Sequence, residues 1–221
     1  MKDFSQIKVI FFDIGDTLYT NEQLEKAYPQ KLYELLSLSK GISIDQAKLL
    51  LHETTEKLKL TEKHVTKVRA MAELGYSRAQ CHDVFSTVNP YQFLAKDQKL
   101  DEVITSLAKN YKLGVISNFK RSHVVQILEA LGLQENFFTF MVTEDIVEKL
   151  KPALEPFQKA VELSGVTAQA CLYVGDSPSK DMRPAKEVGM TTILMKTHPK
   201  QDDLHYADEH IDSIVQLPSL L

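Results

Sequence analysis

The stretch Val9-Ile10-Phe11-Phe12-Asp13-Ile14-Gly15-Asp16-Thr17-Leu18 constrains this chain more than any other. It opens as a short apolar run of β-branched and aromatic side chains. Such a run reads as a strand buried on both faces, as in the middle of a parallel sheet. The run stops at Asp13, and a carboxylate ending an apolar strand is costly to bury unless something pairs with it. Gly15 follows and permits a sharp bend. The strand therefore delivers an acid to the mouth of a turn. In open α/β sheets, ligands sit just beyond the carboxyl ends of the strands. A strand that simply ends in a solvated Asp turn has the same pattern, so other strand ends must carry the argument.

Such a strand needs partners, and they come late in the chain. From about Asn21 to Asn89 there is no convincing strand but several helical patterns. Leu24, Tyr28, Leu32 and Leu35 fall at helical spacing, with Pro29 expected to start or kink a helix. Ser43 with Gln46, and Ser77 with Gln80, read as capping boxes. Val65, Val68, Ala72 and Leu74 form another stripe, closed by Gly75. Asn89-Pro90 marks a break. Beyond Leu100 the pattern alternates. Apolar strands are expected at 113–116, 138–142, 171–174 and 191–195. Helices lie before and between them, one capped by Ser122, and a short tail helix is expected around 214–217. Alternating units of this kind build a mainly parallel sheet with helices on both faces. The expected fold is α/β, a Rossmann-like parallel sheet formed by residues 1–18 and 97–221. An all-helical insertion occupies 19–96, and its two crossing connections are expected to act as a hinge.

Composition narrows the function classes. At 221 residues the chain suffices for one large domain, or one domain with a smaller insertion. A formal net charge of -4 supplies no general basic field for nucleic acid. Cys81 and Cys171 are far apart and match no metal or redox spacing, so they read as reduced, buried thiols. No apolar run approaches membrane-spanning length, and the first strand leaves no room for a signal peptide. A cytoplasmic protein is the expectation, with no membrane partner.

Four strand or loop ends carry polar groups that a plain sheet does not need. They are Asp13 with Asp16 and Thr17; Ser117 with Asn118; Lys151 before Pro152; and Asp176 with Asp181. Parallel strands share a direction, so such ends converge at one edge. Asp13 and Asp176 are hard oxygen ligands suited to Mg²⁺. Two carboxylates packed together repel without that cation or a lysine. Ser117 and the amides around it can donate to phosphate oxygens, and Lys151 can neutralise a transferring group. An Asp can attack phosphorus to form an aspartyl-phosphate. Each residue also has an ordinary reading: Lys151 as a surface lysine, Ser117 as a helix-side cap, Asp181 as a first-turn acid favoured by a helix dipole.

The order of these motifs resembles the haloacid dehalogenase-like (HAD) hydrolase superfamily, as a C1-capped, phosphatase-like member. The match runs through Asp13-Ile14-Gly15-Asp16-Thr17-Leu18, Ile116-Ser117-Asn118, Lys151-Pro152 and Gly175-Asp176-Ser177-Pro178-Ser179-Lys180-Asp181. The helical block sits where that family places its C1-type cap. The resemblance implies Asp13 as nucleophile and metal ligand, with the backbone carbonyl of Gly15 as a second metal-bound oxygen. It implies Ser117 and Asn118 as phosphate-positioning groups and Lys151 as the charge-neutralising lysine. Asp176 becomes the other acidic ligand of Mg²⁺, supported by Asp181 from behind. The implied partner is a small phosphorylated metabolite. Lys120 and Arg121 are candidates to contact its phosphate or sugar. A helical lid can exclude water and meet the leaving group. Most of Lys26, Lys31, Lys57, Lys63 and Lys67 read as solvated, and His52, His64 and His82 as surface histidines. Monomer and homodimer both remain open.

One position departs from the family pattern. Its phosphatases usually carry a second Asp two residues after the nucleophile, to protonate the leaving oxygen and later activate water. Here that position is Gly15. Asp16 is either ordinary turn chemistry or a substitute, and a one-residue shift points a side chain elsewhere. Three functions follow. The first is a Mg²⁺-dependent phosphatase, with Asp16 or water filling the gap. The second is a phosphate-binding regulatory module with little turnover. The third is a 2-haloacid dehalogenase-like hydrolase, since those enzymes also lack the second Asp. The first is the leading expectation, and the third ranks last because Asp176 with Asp181 suits phosphate better and no halide cradle is visible.

Overall fold

A computed structural model describes residues 3–62, 65–196 and 199–221. Two compact units emerge, Met1–Thr20 with Leu94–Leu221, and Asn21–Phe93. The strands are β1 (Val9–Phe12), β2 (Lys112–Ile116), β3 (Phe138–Val142), β4 (Cys171–Gly175), β5 (Thr191–Met195) and β6 (Glu209–Ile211). The helical unit holds α1 (Glu22–Lys40), α2 (Ile44–Lys59), α3 (Lys67–Glu73) and α4 (Arg78–Phe85). The other unit holds α5 (Gln98–Leu107), α6 (Arg121–Ala130), α7 (Glu155–Ser164), α8 (Arg183–Val188) and α9 (Leu217–Leu220).

The strands form one sheet in the order β3-β2-β1-β4-β5-β6, and every neighbouring pair is parallel. This is the doubly wound order, with the chain winding outward from β1 in both directions. β1 is short because it is wholly interior: all four of its residues are buried. Alternation along the strands places Val9, Phe11, Ile116, Val142, Cys171 and Tyr173 in one core cluster, with Phe157 and Ala160 of α7 and Ala185 of α8. Ile10, Phe12, Leu113, Val115, Leu172 and Val174 alternate to the other face and are equally buried. Gly114 is required here, because a Cβ at that position would stand 2.6 Å from the Phe11 ring. The strand β6 is not evident from the sequence. It is three residues long and pairs with β5 at the edge of the sheet, and Asp208 just before it accepts the Thr192 amide at 3.0 Å.

Several local expectations need correction. Pro29 neither starts α1 nor ends it. Asn21 caps the helix, which runs past the proline to Lys40. Leu24, Tyr28, Leu32 and Leu36 are all buried at strict four-residue spacing, so packing offsets the amide that proline lacks. Leu36 takes the buried seat expected for Leu35. In α3, Ala70 and Met71 are buried and Ala72 is exposed, because Thr66 caps the helix and leaves Val65 outside it. Ser122 does not cap α6. The cap position is Lys120, and the Asp145 carboxylate accepts the Arg121 amide at 2.6 Å from a distant loop. His82 is buried, its ring 5.5 Å from Phe85, rather than at the surface. His52 is exposed, while Lys63 and His64 lie outside the described residues.

Both capping boxes, Ser43 with Gln46 and Ser77 with Gln80, are formed. The units divide at 20/21 and 93/94, where the sequence suggests 18/19 and 96/97. Tyr19 bridges back to Gly15 and so stays with β1. Asn21 donates its side-chain amide to the Phe93 carbonyl at 2.7 Å, tying the two ends of the helical unit together. Both thiols are free and buried. No described helix is long and apolar enough to cross a membrane.

Candidate active site

The site forms where β1 and β4 end. The Asp13 amide donates to the Val174 carbonyl at 2.9 Å, extending the β1–β4 ladder one residue past Phe12. Alternation then puts the Asp13 side chain on the face that carries Val9 and Phe11. Tyr173 and Gly175 of β4 share that face.

Lys151 arrives from the connection between β3 and α7. Asn118, just past the end of β2, clamps its backbone on both sides. The Asn118 amide donates to the Lys151 carbonyl at 3.0 Å, and its oxygen accepts the Lys151 N–H at 2.9 Å. The peptide bond from Lys151 to Pro152 is cis. Held this way, the lysine side chain is 1% exposed. Its Nζ lies 2.7 Å from Asp13 Oδ1, 2.8 Å from Asp181 Oδ1 and 2.8 Å from Tyr173 Oη.

Asp181 sits in a π-helical turn, Pro178–Met182, which leads into α8. Single π-helical turns of this kind frequently mark functional sites. Ser177 begins the turn, its Oγ accepting the Lys180 amide at 3.2 Å. Asp181 uses both oxygens within the protein: Oδ1 serves Lys151 and Tyr173, and Oδ2 accepts the Ser177 amide at 3.2 Å. Gly175 makes this crossing possible. A Cβ there would stand 2.9 Å from the Tyr173 ring and 3.0 Å from Asp181 Cβ.

Asp13, Asp176 and Asp181 each offer an oxygen within 4.8 Å of the others. The charge balance is unequal. Burial works against a charge on Asp13, but Lys151, Lys180 and the Lys151 hydrogen bond outweigh it and hold Asp13 below the usual carboxylate range. Asp176 goes the other way. Burial, then the charges of Asp181 and Asp13, push it up to about 7. Tyr173 is raised well above the ordinary phenol value by burial and the neighbouring carboxylates, so it stays neutral.

Hard carboxylate oxygens in excess of the buried Lys151 ammonium are a donor set that fits a small divalent cation such as Mg²⁺. Asp13 and Asp176 could hold it. Among the described residues no hydrogen bond reaches the Asp176 carboxylate, whereas both Asp181 oxygens are already committed. One further buried polar atom in the first turn, Thr17 Oγ1, has no hydrogen-bond partner among the described residues.

The sequence-selected residues therefore separate into groups. Asp13, Lys151, Asp176 and Asp181 come together, and Asn118 joins them through the Lys151 backbone. Ser117 is buried at the end of β2, beside β1; its amide donates to Val142 and its Oγ accepts the Phe119 amide at 3.2 Å. Gly15 bridges to Tyr19. Asp16 is exposed, at a left-handed φ of 52°, outside the carboxylate group. Arg121 is drawn to Glu135, and Lys120 is half-buried at the start of α6. Tyr173 is not evident from the sequence, where it reads as apolar filler in a buried strand. Alternation from Gly175 is the available signal.

The family profile for haloacid dehalogenase-like hydrolases matches residues 10–195. The chain is 29% identical over 228 residues to a protein of Methanocaldococcus jannaschii named glyceraldehyde 3-phosphate phosphatase, covering 97% of each. Among solved structures it is similar to a HAD phosphatase from Thermococcus onnurineus, with a TM-score of 0.72 and 23% identity over 97% of both chains. It also resembles YfnB from Bacillus subtilis, a putative HAD-hydrolase solved bound to magnesium, with a TM-score of 0.62 and 21% identity over 97% of this chain and 98% of that one. With its doubly wound sheet and the match across most of its length, the chain belongs to the haloacid dehalogenase-like hydrolase family.

Proposed function

We propose that this hydrolase is a Mg²⁺-dependent phosphatase that acts on a small phosphorylated metabolite through an aspartyl-phosphate on Asp13. The observation that carries the reading is the buried contact of Lys151 Nζ with Asp13 Oδ1 at 2.7 Å, with a second carboxylate, Asp176, offering an oxygen within 4.8 Å of Asp13. Lys151 keeps Asp13 ionised at neutral pH, which a carboxylate nucleophile requires. Asp13 attacks phosphorus, an oxygen–phosphorus bond forms, and the bond to the leaving oxygen breaks, that oxygen taking a proton from solvent water. A second water then attacks the same phosphorus and gives a proton back to solvent, the bond to Asp13 breaks, and inorganic phosphate leaves with the carboxylate restored. Asp13, Asp176 and the Gly15 carbonyl would hold Mg²⁺, whose charge lets the anionic nucleophile and the phosphate approach each other. Ser117 and Asn118 are the proposed phosphate-positioning groups. The helical unit is the proposed cap, and the name carried by the M. jannaschii relative makes three-carbon sugar phosphates the first substrates to try.

A second reading rests on Gly15. No side chain stands two residues after Asp13, and Asp16 is exposed. A positioned acid is worth roughly 10²–10⁴-fold, so the chain would bind phosphate yet turn over slowly as a regulatory module. One set of assays separates the two. Hydrolysis of p-nitrophenyl phosphate and glyceraldehyde 3-phosphate is measured with Mg²⁺, with EDTA, and in Asp13→Asn. Metal-dependent turnover lost in the variant supports the phosphatase. Vanadate binding without turnover supports the binding module. Metal-independent turnover of a 2-haloacid would overturn both.

A further inference from the structure

We propose that a cleft at the amino edge of the sheet binds a nucleoside polyphosphate. The site stands apart from the reaction proposed at Asp13 and does not depend on it.

The cleft opens where β1 and β2 begin and where α5 and α7 end, and its volume is about 440 Å³. Lys8, Lys109 and Lys112 line it, and no carboxylate does. Lys8 leads into β1, and its carbonyl accepts the Lys112 amide at 3.1 Å, so the two backbones adjoin. Lys109 lies in the turn that follows α5. All three lysines are exposed, and none of their ammonium groups has a carboxylate partner among the described residues. The ordinary explanation for such lysines is the helix dipole. Ala108 and Ser164, at the ends of α5 and α7, also line the cleft, and each helix end carries about half a negative charge. Two ends call for about one positive charge, and the cleft presents roughly two more than that. This surplus stands on a chain whose formal net charge is -4, so it is not part of a generally basic surface.

The rest of the lining is apolar or aromatic. Ile7 and Val9 are buried, and Val166 and Tyr111 are half-buried. Clefts of this size hold small organic ligands and exceed what a lone phosphate group needs. Lysine is a point-charge partner for phosphate oxygens, and a tyrosine ring is a stacking platform for a base. A nucleoside polyphosphate uses both halves of the cleft at once. At about 3.3 Å per residue, β1 separates Val9 from Asp13 by about 13 Å, so an occupant here leaves the carboxylate cluster clear.

The probe is ATP, added in EDTA so that metal-dependent turnover does not consume it. Backbone amide signals of Lys8, Asn110, Tyr111 and Lys112 are expected to shift, while those of Asp13 and Asn118 stay in place. A triple variant, Lys8→Gln with Lys109→Gln and Lys112→Gln, changes only exposed side chains. Its Kd for ATP is expected to rise by about tenfold or more, with turnover of p-nitrophenyl phosphate in Mg²⁺ unchanged within about twofold. Tripolyphosphate, which has the charge without the base, is expected to bind the native chain about threefold or more weakly than ATP does. Shifts confined to Asp13 and Asn118 would place the nucleotide at the carboxylate cluster and overturn the cleft. An absence of shifts, or the same Kd in the triple variant, would overturn it as well. Tripolyphosphate binding as tightly as ATP would overturn the nucleoside assignment.

Discussion

The two units of this chain bury different things. In the helical unit Leu32, Leu36, Ala47, Leu51, Ala70, Met71 and Cys81 make an apolar cluster. Its polar work is done at helix ends, by Asn21, Ser43, Thr66 and Ser77. The α/β unit also buries Asp13, Lys151 and Asp181. Buried ion pairs are weak sources of stability, because desolvation consumes much of their attraction, yet breaking one from a single side is costly. The contrast teaches where function resides. One unit is organised by transfer of apolar surface from water, whereas the other retains charges that a merely stable sheet would have replaced.

The sharpest way to break that contrast is Lys151→Met. It leaves three carboxylates within 4.8 Å of one another without the ammonium that pairs with two of them. Turnover is expected to fall by at least roughly 10²-fold, the scale of losing one preorganised electrostatic partner. Stability is expected to fall by about 3–5 kcal/mol. Asp13→Asn breaks the same pair from the other side, with turnover lost and the melting temperature lowered, but by less than in Lys151→Met because the ammonium keeps Asp181 as a partner. Equal melting temperatures for both variants would mean the cluster carries no net charge strain.

Leu36→Ala tests the other side. Leu36 is fully buried in the helical cluster, and its truncation should cost about 2–5 kcal/mol. Well below the melting temperature, hydrolysis of a small activated ester should survive, since no charged group has moved. Loss of that hydrolysis while the unit stays folded would show that the separation of roles is wrong.

Legibility followed the same division. Apolar runs such as VIFF, and Leu113 to Ile116, announce buried parallel strands because nothing else tolerates them. Asp13 and Asp176 stand out because an acid at the end of such a run has no packing reason to be there. What escaped the sequence is long-range or ambiguous. Tyr173 passes for core filler, since only the fold shows where its hydroxyl points. The cap of α6 comes from Asp145, 24 residues beyond the Arg121 amide that it accepts. Pro29 is tolerated because tertiary packing outweighs its local rule. β6 has no apolar run to announce it.

Acid titration sharpens the comparison further, through a group outside the carboxylate cluster. His123 of α6 is buried against Phe119, with ring centroids 5.1 Å apart. Burial lowers it to about 4, only partly opposed by a hydrogen bond with Gln126. The folded pKa lies below the unfolded value of 6.5, so protons bind more tightly to the unfolded chain. The resulting stability is fully present above pH 6.5 and is lost as the pH falls toward 4. Across that window the loss should approach about 3 kcal/mol. Denaturant titrations of the native chain and of His123→Phe at several pH values measure it. A slope between pH 6.5 and 4 that is the same in both proteins would assign the acid loss elsewhere.

The smallest expected effect lies where the helical unit closes on itself. Asn21 does two things at once: its Oδ1 accepts the Leu24 amide at 2.9 Å, and its Nδ2 donates to the Phe93 carbonyl at 2.7 Å. Removing an N-cap typically costs about 1 kcal/mol, and a part-buried hydrogen bond contributes about 1 kcal/mol more. Asn21→Ala should therefore destabilise by roughly 2 kcal/mol. Asn21→Asp keeps an acceptor for Leu24 but loses the donor and sets a carboxylate against a carbonyl. Asn21→Ser keeps the cap with a side chain too short to reach Phe93. If the tie between the ends of the unit matters as much as the cap, serine and aspartate each recover only about half of the alanine loss, with serine the better of the two. Full recovery by serine would make Asn21 an ordinary helix cap, and the two ends of the helical unit would then be held by its apolar core alone.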